Sequence, residues 1–212
     1  MPTETVRRHA VRIAVCVAVA LAVGPARAQQ APSQLPLTAR DAERCDQKVH
    51  GILRYAEDRS AGRPTERQRT TTLTEAELNS YLRLTIPGEF PAGVVEPYIA
   101  ALGSGRIAAR AVVDLDAVSK SQSGGGLGRL LGGRLPVTLT GTLRGRDGNA
   151  TFEFESASIS GIPVPKMLLQ QVVAYYSRSS ERPNGVNLDV PFPLPNGIRQ
   201  LDIQLHQALI VQ

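Results

Sequence analysis

The stretch "GIPVPKMLLQQVVAYY", residues 161–176, sets two prolines one residue apart ahead of an apolar run. Proline fixes its own φ and is tolerated in the first turn of a helix, so Pro163 and Pro165 predict an extended entry into a helix over 163–178. At 100° per residue, Leu168, Leu169, Val172, Val173, Tyr175 and Tyr176 fill an arc of roughly 160°, against the ~100° stripe of an ordinary surface helix. A flat contact does not need that width. A curved sheet around the helix does, as does a sheet on one side with an apolar ligand on the other. The same six residues could also be filled core, and the pattern alone leaves the two open. Tyr175 and Tyr176 join apolar bodies to polar tips, which suits the rim of a groove.

The segments before this helix read as strands. "VVEPYIAAL" and "RIAARAVVDLD" flank Gly103, Ser104 and Gly105 as a hairpin. In its second arm Ile107, Ala109, Ala111, Val113 and Leu115 alternate with more polar positions, the pattern of a strand with one dry face. "LPVTLTGTLRG" and "ATFEFESASIS" follow, joined by a turn at Asp147 and Gly148. Leu135, Val137, Leu139 and Leu143 share a side of the first, with Phe152 and Phe154 on the matching side of the second. Between the two hairpins, "SKSQSGGGLGRLLGGR" lacks the Lys and Ser/Thr ending of a phosphate-binding loop and reads as a surface loop. Two strands close the chain, "GVNLDVPFPLP" and a last one placing Ile203, Leu205, Leu209 and Val211 on one face.

Ahead of the strands, Thr38 and Asp41 mark a helix start, and Cys45, Val49, Ile52, Leu53 and Ala56 recur at helical spacing. "RTTTLTEAELNSYL" carries a capping box at Thr74 and Glu77, with Leu73 and Leu78 placed to staple the first turn. The order is helix, short helix, four strands, helix, two strands. Short strand connections without regular βα alternation predict an α+β class: a strongly curved antiparallel sheet wrapped around one apolar helix, plus an N-terminal amphipathic helix.

Residues 1–28 read as a cleavable signal peptide. Arg7, Arg8 and Arg12 precede the short apolar run "IAVCVAVALAV", and "ARA" precedes Gln29. Cys16 lies inside that run, where a lipoprotein anchor cysteine does not belong. Residues 29–37 form a flexible leader and 38–212 a single domain, in a protein expected to be periplasmic or secreted. Cleavage lowers the formal charge from +5 to about +2, and the basic residues are scattered, so nothing favours nucleic acid as a partner. Cys45 is then the sole cysteine, which excludes an internal disulfide and reads as a buried small hydrophobe.

No catalytic constellation emerges, and the chain is expected to be non-enzymatic and without cofactor. His50 and His206 have no second ligand at metal spacing. Asp114 and Asp116 share a strand face with Arg110, which reads as solvated charge rather than an acid and base pair.

"TEAELNSYL", "RIAARAVVDLD", "GRLPVTLTGTL", "SISGIPVPKMLL" and "LPNGIRQLDIQLHQALIV" together resemble the successive pieces of bacterial exported domains related to the tubular lipid-binding superfamily, over about residues 70 to 212. "SGIPVP" leading into the apolar helix is the best single match. The resemblance implies a bent sheet that holds a phospholipid or another long apolar molecule against the helix, and allows a transient contact with a membrane surface. The liners it implies are Leu168, Leu169, Val172 and Tyr176 on the helix and Phe152 and Phe154 on the sheet. The alternative is an envelope assembly or structural protein whose core is closed and whose partner is another protein.

Overall fold

The computed structural model describes residues 36–91, 93–117, 133–176, 178 and 183–212. Residues 1–28, read above as a signal peptide, nearly all of the expected leader and most of the glycine-rich loop lie outside the described residues. The chain forms α1 (Ala39–Ser60), β1 (Thr70–Thr74), α2 (Glu75–Ser80), β2 (Val94–Gly103), β3 (Arg106–Asp114), β4 (Arg134–Arg146), β5 (Asn149–Ile159), β6 (Ile162–Pro163), α3 (Lys166–Tyr176), β7 (Phe192–Pro193), β8 (Gln200–Gln204) and β9 (Gln207–Val211). All strand pairs are antiparallel, and helices accompany an unclosed sheet, so the class is α+β.

β2, β3, β4 and β5 form a meander whose turns are those the sequence marks, with left-handed Gly103, Ser104 and Gly105 in one and Asp147 and Gly148 in the other. β1, β9 and β8 form a second ribbon. The two join where β4 outruns the β2–β3 hairpin and meets β8 at Gly145, opposite Leu201. A Cβ on Gly145 would stand 2.7 Å from the Leu201 Cβ, so only glycine admits this approach.

The last strand differs from its expected form. It is a hairpin, with Gln204 paired to Gln207 across Leu205 and His206. His206 takes φ +59 without being glycine, because its surroundings fix it: its N–H donates to the Ala101 carbonyl at 2.9 Å and its carbonyl accepts from the Glu75 N–H at 2.8 Å. The two-residue turn changes the parity of the faces, so Ile203 and Ile210 are buried while Leu205 points to solvent. "GVNLDVPFPLP" also falls short of a strand. Only Phe192 and Pro193 pair with β5, and the residues before them form a strap over α3.

α2 inverts the usual rule for a surface helix. Its capping box forms as expected, Thr74 and Glu77 satisfying each other's backbone N–H groups. Yet Glu75, Glu77, Asn79 and Ser80 are buried and Leu78 is not fully so. The reason is the outer edge of β2. The Asn79 amide donates to the Ile99 carbonyl at 2.8 Å and accepts from the Ile99 N–H at 2.7 Å, acting as a substitute strand. The Glu75 carboxylate accepts from the Ala101 N–H at 3.0 Å and the Tyr98 hydroxyl at 2.5 Å, with His206 Nδ1 3.2 Å away. Burial, reinforced by the bond to Glu75, pushes the Tyr98 hydroxyl up to about 12, so it stays a donor. Arg110 lies 4.4 Å from the centre of the Tyr98 ring.

α1 packs Cys45, Ile52 and Tyr55 inward, with Thr38 capping its first turn, and shares a small core with Leu73, Tyr81 and Ile210. Burial raises the Cys45 thiol to about 12, which makes it an inert hydrophobe. Lys48 reaches from α1 to both Glu77 oxygens at 2.7 Å and to the Thr72 carbonyl at 2.8 Å. Burial alone would raise the Glu77 carboxyl, but its bonds to Lys48 and to the Thr74 backbone outweigh that and hold it below the usual range.

Two predictions follow from these polar contacts. Asn79→Leu deprives the partly buried N–H and carbonyl of Ile99 of their partner and is expected to lower stability by about 1–4 kcal/mol in urea unfolding; a loss under about 0.5 kcal/mol, the size of an ordinary surface substitution, would show the edge is not sealed in this way. Glu77 titrates lower in the folded chain than in the unfolded one, so its ionised form stabilises the fold above about pH 4.5 and that contribution is lost as pH falls through its folded value. Lys48→Met should therefore be destabilising at pH 7 by roughly 1–3 kcal/mol, and the gap to the parent should narrow below pH 4.

Candidate functional site

α3 is held over the sheet at both ends by its neighbours in sequence. β5 turns through left-handed Ser160 and Gly161 into β6, whose Ile162 and Pro163 pair back onto Ile159 and Ser158. Val164 and Pro165 then lead into the helix, which starts at Lys166 rather than at Pro163 because both prolines stay in the extended entry. Beyond the helix, β7 pairs with Ala150 and Asn149 at the opposite end of β5. Among the described residues no strand pairs with positions 151–157 of β5 on the side away from β4.

Polar clamps bind the strap to the helix. Gln170 donates to the Val186 carbonyl at 2.9 Å and accepts from the Leu188 N–H at 2.6 Å. Lys166 pairs with Asp189 one turn earlier. Gly185, at φ +71, sits so close that a Cβ would stand 1.9 Å from the Ala174 carbonyl oxygen. Val186 and Leu188 of the strap and Phe192 of β7 are buried in the same core as Leu169 and Val173.

The helix is rotated from the position its apolar arc suggests. Leu169 and Val173 are fully buried, whereas Leu168 is 46% exposed. On a helical wheel the inward side thus runs from Leu169 through Val173 to Gln170, whose amide is taken up by the strap. The sheet opposite offers Val137, Leu139, Ala109, Ala150, Ala157 and Phe152, with Phe154 partly buried beside them. Phe152 lies across β4 at Gly141, where a Cβ would stand 2.4 Å from its ring. Glu155 is the extra residue of a bulge between Thr140 and Gly141, and it turns outward to Arg106 and Thr142.

Of the six expected liners, Leu169 and Phe152 come together in one core, Phe154 packs against it, and Leu168 stands at its edge. The side chains of Val172 and Tyr176 lie outside the described residues, as does that of Tyr175. Sequence reasoning missed Gln170, Gly185 and the strap. The one available signal was a glutamine pair interrupting an otherwise apolar helix, followed by alternating Val186 and Leu188.

Among the described residues no group of three or more His, Cys, Asp or Glu is placed to hold a metal ion, and no helix is long and apolar enough to cross a membrane. Asp114 caps the Ala117 N–H at 3.0 Å and faces Arg134, while Asp116 is exposed. Comparison with protein-family models, with curated proteins and with solved structures finds no match.

The rotation of α3 separates two adjacent leucines in a measurable way. Leu169→Ala is expected to cost about 2–5 kcal/mol and Leu168→Ala under about 1 kcal/mol. Equal losses in chemical denaturation would place the helix differently.

Proposed function

We propose that this protein is a non-catalytic binder or carrier of phospholipid or another long apolar molecule in the periplasm. The reading takes the sheet to bend about α3 and to share the helix with a guest. Three features of the strands support such a bend: Gly141 and Gly145 on one face of β4, the bulge at Glu155, and the meeting of two ribbons at Gly145.

The observation that carries the reading is the contrast in burial between two adjacent leucines of an apolar helix. Leu169 is closed in with Phe152 and Ala157 of β5 while its neighbour Leu168 is open, and among the described residues no strand pairs with the middle of β5 on its outer side; the reading takes the guest's path to run between them. An acyl chain lying along that path would gain roughly 25 cal/mol per Å² of apolar surface removed from water. The exposed Glu153 and Glu155 on the free edge discourage strand addition by another protein, which leaves the edge open without inviting aggregation.

A second reading, an envelope assembly protein with a closed core and a protein partner, draws on the complete burial of Leu169 and Val173 and the near-complete burial of Phe152. The readings divide on uptake of a soluble lipid. A short-chain fluorescent phospholipid, kept below its micelle concentration, should brighten on mixing with the protein. Phe154→Ser should weaken that binding at least fivefold, and Asp114→Ala should leave it unchanged. Absence of uptake by the parent chain would favour the assembly role.

A further inference from the structure

One end of the molecule carries large apolar side chains that nothing among the described residues covers. Ile162 is 70% exposed, Met167 74% and Val190 50%, with Leu168 beside them. They belong together because β6 runs directly into α3 and because Lys166 pairs with Asp189, which brings Val190 to the first turn of the helix. Pro163 and Pro165 fix their own φ and stiffen the link between Ile162 and the helix. We propose that this surface docks on a zwitterionic lipid bilayer, an inference that rests on the lipid-carrier reading and assigns the face through which cargo would pass.

Area and charge together select that occupant. Four partly exposed side chains present on the order of a few hundred Å², well short of the ~800 Å² that each partner contributes to a stable protein interface. A second copy of this chain is therefore poorly served by the patch alone. Shallow insertion among lipid headgroups needs only exposed apolar tips on a rigid base. The charges at the patch cancel: Lys166 and Asp189, each about half exposed, offer one positive and one negative group side by side. That arrangement complements a headgroup carrying both phosphate and ammonium, and it supplies none of the basic excess that anionic membranes select. Leu168, exposed on the same helix, is next in sequence to the fully buried Leu169, so the proposed docking face adjoins the helix that the carrier reading assigns to the guest.

The test is flotation of the signal-free chain with pure phosphatidylcholine vesicles, at low salt and at 0.5 M salt. The parent is expected to float in both, since apolar insertion is not screened. Met167→Asp and Ile162→Asp are each expected to cut binding at least tenfold with unchanged thermal midpoints, because both positions are exposed. Leu205→Asp, at an exposed apolar residue in the β8–β9 turn, should have no effect. Uptake of the sub-micellar fluorescent phospholipid is measured on the same variants. Normal uptake with lost flotation in Met167→Asp is the expected result. Flotation equal to the parent in both patch variants, flotation that requires anionic lipid, or concentration-dependent dimerisation abolished by Met167→Asp would each overturn the docking surface. Failure of the parent to take up soluble lipid, with flotation intact, would instead strike the carrier reading and leave the docking surface standing as a membrane contact.

Discussion

The outer peptide groups of β2 must be satisfied without another strand, and the way this is done shapes the rest of the molecule. Asn79 pairs with both backbone groups of Ile99, and Glu75 takes the Ala101 N–H. A buried peptide group without a partner costs about 1–3 kcal/mol, so α2 is fixed in angle and depth by the side chains that fill this need. The Glu75 backbone N–H and carboxylate in turn hold His206, and His206 sets the β8–β9 turn. Placement of that hairpin decides where β8 meets β4 at Gly145. The chain of contacts runs from one polar helix face to the junction of the two ribbons.

The same device recurs at α3. Gln170 pairs with the Val186 carbonyl and the Leu188 N–H much as Asn79 pairs with Ile99. In both places a carboxamide from a helix stands in for a neighbouring strand. The consequence at α3 is that the strap occupies part of the surface that an encircling sheet would otherwise cover. Among the described residues the helix has the sheet on one side and the strap on another, with Leu168 exposed. The proposed guest would lie beside the helix, along the middle of β5, which no strand pairs with on its outer side among the described residues.

Local rules made several parts legible in the sequence. The capping box at Thr74 and Glu77, the Asp147 and Gly148 turn and the alternation through β3 and β4 depend on residues close in sequence, and each appears where it was expected. The closing hairpin was hidden because its left-handed residue is His206, held by tertiary hydrogen bonds that no neighbouring residue announces. The burial of Glu75 and Asn79 has no local signal, because polarity usually marks solvent; here it marks an edge strand some twenty residues away. At the candidate site, Phe152 and Leu169 were legible as inward residues, whereas the setting of Leu168 depends on a helix rotation fixed by Gln170 and the strap.

Whether α3 shares its apolar face with a guest is decided most directly by the mass of the folded protein. A chain of residues 29–212, produced in bacteria and purified without detergent, should show a heavier species under native spray conditions than under denaturing ones. The difference should match a lipid recovered in the organic extract. A single native mass equal to the polypeptide alone, in preparations with no extractable lipid even after incubation with phospholipid, would contradict the account.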